Sequence, residues 1–343
     1  MPIPQEFIAI DEEGFPLSGE LRIQDAEIGA HFFNQLKVHP SGSLVSYFGE
    51  TPVLVEAFDE PFVAQQIYLK QDQWCLLLPY GVEKVFSLDS LTVDEWDRFH
   101  GYTSENIPFV MSRKAQALFF EALDEFDDES ITFRDKTYPI PAYWAVDKQV
   151  EKADSWCERY KNNNTGWDLG KPAPALVDML PRLKLSRSRV LVLGCGSGHD
   201  AAHFAKDGHI VTAVDFSAEA LKKAQAQYSE FNNINWIQAD VFNLPQAWDG
   251  AFDVVFEHTC YCAVNPTKRA QLAKIWKRVL APGGHLMGVF FTFEKRQGPP
   301  YGGTEWEIRQ RLKKDFHFIF WGRWKNSVEN RQGKELFVYG SKM

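Results

Sequence analysis

The run Val190-Leu191-Val192-Leu193-Gly194-Cys195-Gly196-Ser197-Gly198-His199-Asp200, followed by His209-Ile210-Val211-Thr212-Ala213-Val214-Asp215, constrains this chain more than any other segment. An apolar strand empties into a glycine turn, a helix follows, and a second apolar strand ends on an acid. That order predicts a βαβ unit with parallel strands. Glycines in the turn carry no Cβ, so their backbone can approach a ligand closely. Asp215 lies 21 residues beyond Gly194, where a carboxylate can accept hydrogen bonds from ribose hydroxyls. The combination predicts a nucleoside-type cofactor.

Dinucleotide sites usually read G-x-G-x-x-G, with the third glycine packing the helix on the strand. Here the pattern is G-x-G-x-G, and His199 stands where that third glycine would fall. Asp200 then opens the helix, and its charge would repel a pyrophosphate. The same carboxylate suits the sulfonium and amino groups of S-adenosylmethionine, although an acid in the first turn also stabilises its own helix. These residues favour S-adenosylmethionine over NAD.

A length of 343 residues suits two domains, each with its own core. The net charge of −9 argues against a nucleic-acid partner, because phosphate binding wants clustered Lys and Arg. Lys268, Arg269, Lys274, Lys277 and Arg278 read instead as the wet face of a helix. The sequence shows neither a signal peptide nor an apolar stretch long enough to span a bilayer. Cysteines 75, 157, 195, 260 and 262 form no disulfide framework, so a cytoplasmic location is expected. Cys260-x-Cys262 lacks the second pair or His cluster of a metal site and reads as two half-buried core thiols.

A break falls near residues 127–145, where Pro139-Ile140-Pro141 forms a stiff connector. It separates a smaller α+β, β-rich domain (1–142) from a second domain (143–343). In the first, residues 62–69 and 74–78 predict a hairpin around Lys70-Gln71-Asp72-Gln73, and 112–126 predict an amphipathic helix capped by Ser112. His31, His39 and His100 are scattered and read as structural or exposed. Ile10-Asp11-Glu12-Glu13-Gly14 and Asp59-Glu60-Pro61-Phe62-Val63 weakly resemble a small bacterial domain of unknown function, which assigns no chemistry.

Beyond the break, strand patterns (189–194, 209–215, 234–239, 252–257, 284–293) alternate with helical ones (172–184, 199–207, 217–230, 266–280). Ser217 and Asn265 read as N-caps, and Thr304-Glu305-Trp306-Glu307 as a capping box opening a last helix. Two closing runs, 316–324 and 335–339, form a hairpin. The alternation predicts an α/β, Rossmann-like doubly wound sheet ending in antiparallel strands, the pattern of class I methyltransferases.

The segments that carry a family likeness are Trp156-x3-Tyr160, Thr165-Gly166-Trp167-Asp168-Leu169-Gly170-Lys171-Pro172, the glycine turn through Asp200, and Asp215-Phe216-Ser217. Ala239-Asp240-Val241-Phe242, Phe252-Asp253-Val254-Val255-Phe256-Glu257-His258 and Gly298-Pro299-Pro300-Tyr301 follow in order. Residues from about 150 to 343 resemble the thiopurine methyltransferase family, in particular its thiol and halide methyltransferase branch. The resemblance implies a lid of tryptophans over the cofactor and a Gly-Pro-Pro-Tyr loop beside the methyl acceptor. It does not cover residues 1–145.

The resemblance and the residue chemistry together nominate a site. Trp156, Tyr160 and Trp167 would cover a sulfonium by cation–π attraction, or else staple the entry helix to the sheet. Gly194, Cys195 and Gly196 would face the cofactor, with Asp200, Asp215 and Phe216. Asp240 would accept from the adenine amino group, with Val241 against the ring, or else cap a helix. Glu257 and His258 end the fourth strand at the same sheet edge. Where relatives carry Tyr or Arg, this chain has His258, whose imidazolium could attract an anionic sulfide or halide. Tyr301 could orient the acceptor through its hydroxyl. Arg331 aligns with a basic position of the family and could act likewise, or be a surface hairpin arginine.

The expected activity is S-adenosylmethionine-dependent methylation of a small thiol or sulfide, with halide as a further acceptor, serving detoxification. Two alternatives remain. One is a catalytically silent S-adenosylmethionine-binding regulator; the other is a methyltransferase whose larger acceptor is delivered by the N-terminal domain. The oligomeric state is not legible.

Overall fold

The computed structural model describes residues 4–343, and their contacts divide the chain into two units. The first comprises residues up to Ala145 together with Thr304–Glu307; the second runs Val146–Gly303 and Ile308–Met343.

The first unit is β-rich, with two helices, Ala26–Asn34 and Arg113–Glu121. Its largest sheet has six strands, with Thr51–Ala57 inside it and Phe7–Ile10 parallel at its side. Phe32, Phe33, Phe62, Leu76, Phe109 and Phe119 form its core, each almost fully buried. Two sequence expectations need correction. The predicted strand 62–69 is two strands of two sheets. Phe62–Ala64 lies parallel to Pro108–Met111, while Gln66–Lys70 forms the hairpin with Gln73–Leu77. The turn residues Gln71 and Asp72 have φ of 49° and 62°, matching the mirror-image turn that two-residue hairpins prefer. The helix over 112–126 stops at Glu121, because Glu125–Phe126 pairs with Ser130–Phe133 as a strand. Its Ser112 cap is present, accepting from the Ala115 amide at 3.1 Å.

The second unit holds a seven-stranded sheet. Its strands are β1 (Arg189–Leu193), β2 (Ile210–Asp215), β3 (Ile234–Gln238), β4 (Phe252–His258), β5 (Leu280–Phe291), β6 (Phe316–Arg323) and β7 (Glu335–Lys342). Their spatial order is β3-β2-β1-β4-β5-β7-β6. The first five are parallel, and β7 runs antiparallel between β5 and β6. Helices His199–Lys206, Ala218–Gln227 and Arg269–Val279 make the crossovers. This is the doubly wound sheet with an antiparallel end that the alternating pattern predicts.

Local chemistry explains the helix starts. Ser217 accepts from the Ala220 amide at 3.3 Å, and Thr304 from the Glu307 amide at 3.1 Å; such caps satisfy amides with no intrahelical partner. Both sheet faces are covered. Val190, Val192, Phe204 and Phe256 lie in one apolar layer, and Leu191, Leu193, Leu272 and Trp276 in the other. Pro282-Gly283-Gly284 lies within β5, where the register against β4 shifts. The order of strands reverses between β1 and β4, and ligands bind at the carboxyl edge of such a reversal.

Candidate active site

At that edge the second unit encloses a cavity. Gly194–Gly196 after β1, Asp215 and Phe216 at the end of β2, Asp240–Phe242 after β3, and His258–Cys260 at the end of β4 line it. Backbone shape explains the glycines. Gly194 has φ of 62°, and a Cβ there would stand 2.7 Å from the Cys260 sulfur. A Cβ on Gly196 would stand 2.7 Å from the Tyr160 hydroxyl. Only glycine leaves room for these two side chains to pack against the turn.

Asp215 is buried and accepts the Gly196 amide (2.9 Å) and the Ser217 amide (2.9 Å), one on each oxygen. Burial pushes its carboxyl up, against the pull of these amides. A carboxylate held rigidly in a desolvated wall retains acceptor capacity for two hydroxyls.

The aromatic residues close over this edge. Trp156 and Tyr160 lie on the helix Ala153–Lys161, and Trp167 follows an Asn- and Gly-rich link. The Trp167 ring lies 5.3 Å from Trp156 and 5.8 Å from Tyr160, both edge-on, and donates its N–H to the Tyr160 hydroxyl at 3.3 Å. Trp156 donates to the Val150 carbonyl at 2.9 Å. All three line the cavity. An aromatic wall of this kind suits a sulfonium. Asp240 caps the short helix Val241–Asn243, accepting from the Phe242 amide at 2.9 Å, and also lines the cavity with Val241. The two readings of Asp240 are therefore compatible.

A chain of charged groups occupies the other side. Asp200 accepts the Ala173 amide at 2.8 Å and lies 2.7 Å from Nδ1 of His258. Arg331 places Nη1 at 3.3 Å from His258 Nε2 and 3.2 Å from Glu335, while Nη2 donates to the Trp167 carbonyl at 2.6 Å. An imidazole protonated on Nδ1 satisfies both neighbours. Burial alone would lower His258, but Asp200 outweighs it and raises it above its ordinary value. Burial alone would raise Asp200, but His258 holds it low.

Comparison with known proteins identifies the family. Residues 151–337 match the family model "Thiopurine S-methyltransferase", more than half of the chain. The chain belongs to that family. It is similar to a "Probable thiol methyltransferase 2" of Arabidopsis thaliana, 32% identical over 43% of this chain and 66% of that one. A "Thiocyanate methyltransferase 1" of the same plant is 31% identical over 45% of this chain and 68% of that one. The bovine "Thiopurine S-methyltransferase" is 26% identical over 47% and 76%. A solved 1,6-didemethyltoxoflavin-N1-methyltransferase of Burkholderia thailandensis is 20% identical, with a TM-score of 0.48 over 64% of this chain and 99% of that one. Membership in the family bears out the expectation of a methyltransferase domain that uses S-adenosylmethionine. The cradle at Gly194 and Gly196, the Asp215 carboxylate and the aromatic wall fit that cofactor.

Three nominated residues lie elsewhere than expected. Tyr301 is fully buried and outside the cavity lining, its hydroxyl accepting the Asp147 amide at 2.9 Å. Pro299 and Pro300 of the same loop line the cavity instead. Glu257 is buried behind the wall, where it accepts the Tyr261 amide at 2.7 Å. Burial pushes its carboxyl up to about 7. Arg331 is neither a surface residue nor part of the lining; it is 4% exposed and spends its donors on His258, Glu335 and Trp167.

Sequence reasoning also passed over residues that the fold brings in. Cys260 and Cys262 line the cavity rather than filling core alone, and burial pushes the Cys262 thiol up to about 12. Their place just after β4 was the available signal. Asp168, Ser197 and His199 lie on the wall beside the lid. Among the described residues no group of His, Cys, Asp and Glu is arranged to hold a metal, and no helix is long and apolar enough to cross a membrane.

Proposed function

We propose that this protein methylates a small thiol or sulfide, with S-adenosylmethionine held at the ends of β1, β2 and β3. When bound, that cofactor supplies a sulfonium methyl group for in-line displacement. The observation that carries the acceptor class is the wall beyond the glycine turn. Cys260, Cys262, Val264, Pro299 and Pro300 make it largely apolar. Of the charged side chains on the lining, Asp200 is engaged with His258 and Lys268 with Glu151. Such a wall favours a weakly hydrated sulfur nucleophile over a strongly hydrated oxygen acid. Dehydrating the acceptor and orienting it are the protein's tasks, because a thiolate is already a good nucleophile. The names of the plant relatives agree with this class, and removal of toxic small sulfur compounds is the role it suits.

Purified protein incubated with S-adenosylmethionine and a panel of sulfide, methanethiol, thiophenol, thiopurine, iodide and thiocyanate tests the reading. Methylated sulfur products are expected, with iodide the poorer acceptor. Turnover of iodide alone overturns the acceptor class, and turnover of none favours a silent S-adenosylmethionine-binding regulator or a larger acceptor. Asp215→Ala should weaken cofactor binding by about 1–3 kcal/mol, the cost of leaving buried polar groups unmatched. Calorimetry that finds unchanged affinity removes Asp215 from the cofactor site.

A further inference from the structure

Trp167 is held from two sides by groups that belong to the protein. Its carbonyl accepts from Arg331 at 2.6 Å. The next residue, Asp168, reaches the glycine turn. One carboxylate oxygen accepts the Ser197 hydroxyl at 2.5 Å, and the other lies 2.9 Å from Nε2 of His199. The second oxygen also takes the Gly170 amide at 2.8 Å. Beyond His199, Nδ1 lies 2.6 Å from the Tyr228 hydroxyl, so the contact runs from the lid through the turn to the C-terminal end of the helix Ala218–Gln227.

Asp168 lines the cavity, yet both of its oxygens already have protein partners. Burial by itself would raise the carboxyl, but His199 and Ser197 hold it well below the usual range. An ionised side chain gripping both Ser197 and His199 fixes the backbone of residue 167, and thereby the ring that Trp167 lays against Trp156 and Tyr160. The segment leading to it, Asn162-Asn163-Asn164-Thr165-Gly166, has no regular structure and includes Asn163 at a φ of 51°. Backbone bonds from the Asn163 and Asn164 amides to the Tyr160 and Arg159 carbonyls hold its start, and the Asp168 carboxylate holds its end.

We propose that Asp168 is a positioning residue, the latch that closes the aromatic lid onto the glycine turn, with Arg331 as its second pin. The proposal rests on the reading of the cavity as a cofactor site. Opening the lid breaks the contacts to Ser197 and His199, so the strength of this latch sets how fast S-adenosylmethionine enters and the spent cofactor leaves.

Stopped-flow tryptophan fluorescence of S-adenosylhomocysteine release tests it. Asp168→Ala should release that product roughly 10- to 100-fold faster, the effect of losing charged hydrogen bonds. It should raise KM for S-adenosylmethionine while KM for the acceptor stays within about twofold, which a general loss of structure would not do. Ser197→Ala with His199→Gln should mimic it, and adding both to Asp168→Ala should change release by less than about threefold more. Asp168→Asn, which keeps the shape and one acceptor, should recover part of the loss. Release within twofold of the parent in Asp168→Ala overturns the latch. Should that variant not fold, the Ser197→Ala, His199→Gln pair carries the same threshold. A parent protein that binds no S-adenosylhomocysteine overturns the cofactor reading and the latch with it, an outcome distinct from normal binding with unchanged release.

Discussion

Each unit buries a histidine between charged neighbours, and the two are built differently. In the first unit His100 has an acid on each side, Glu60 and Asp94, both at 3.1 Å. Arg98 extends that cluster, bridging Asp94 at 2.9 Å and Asp59 at 2.5 Å, with its guanidinium 3.3 Å from the Trp306 ring centre. In the second unit His258 has an acid on one side and a guanidinium on the other. A second proton on His100 meets carboxylate in either direction; on His258 it faces Arg331. None of the His100 cluster lines the cavity, whereas Asp200 and His258 do. The first arrangement is a satisfied polar core. The second joins a cavity wall to the carbonyl of Trp167, through Arg331.

The largest effect expected of this contrast is on folding. Arg98→Met should cost about 3–5 kcal/mol in denaturant unfolding, because Asp59 would remain buried without its ion-pair partner and Asp94 with His100 alone. A loss below about 1 kcal/mol would mean that the cluster is not the core of its unit.

Glu257 offers a third case, an acid that no cation relieves in full. Its carboxyl is held at about 7 by burial, above the ordinary value of about 4.3. The folded state therefore keeps a proton that the unfolded chain loses, and stability falls as pH rises from about 4.3 through 7. Glu257→Gln should remove that penalty and gain about 3–4 kcal/mol at pH 8, with little change at pH 4. Equal stability at both values would contradict the raised carboxyl.

His258→Gln should cost only about 1–2 kcal/mol of stability, the scale of its hydrogen bonds, while lowering turnover through the wall and the Arg331 contact. Full activity with a large loss of stability would make His258 a core histidine like His100 and dissolve the contrast.

The smallest effect concerns pH. Burial alone would lower His100, but hydrogen bonds to Asp94 and Glu60 raise it above its ordinary value. A raised histidine adds stability that is complete below about 6.5 and is lost as pH rises through the folded value. Melting temperatures of the parent should therefore decline across that window, and His100→Gln should flatten the decline. An unchanged slope would show that His100 is not charged in the fold.

Legibility from sequence followed the distance between partners. Gly196 and Asp215 meet within one βαβ unit, the Gly196 amide donating to the Asp215 carboxylate, so spacing along the chain revealed them. Ser112, Ser217 and Thr304 were readable as caps for the same reason, since the amide each one serves lies three residues on. Asp200 meets His258 from 58 residues away and Arg331 meets His258 from 73, and no local pattern announces such meetings. Tyr301 illustrates the reverse error: a tyrosine on a Pro-Pro loop looks aimed at a ligand, yet it turns inward to the Asp147 amide. The first unit was read least well, because its strands are short and pair across sheets, so that residues 62–69 serve two of them.

By itself, the sequence determined the alternation of strand and helix, the glycine turn and the acid that follows it. Those depend on side-chain periodicity and backbone sterics, which act between near neighbours. Only the tertiary structure decided that His258 is shared between Asp200 and Arg331, that Arg331 reaches the Trp167 carbonyl and that Asp168 grips the glycine turn. The worth of a charge depends on which partner lies within a few ångströms and how little water remains between them, and neither quantity is written along the chain.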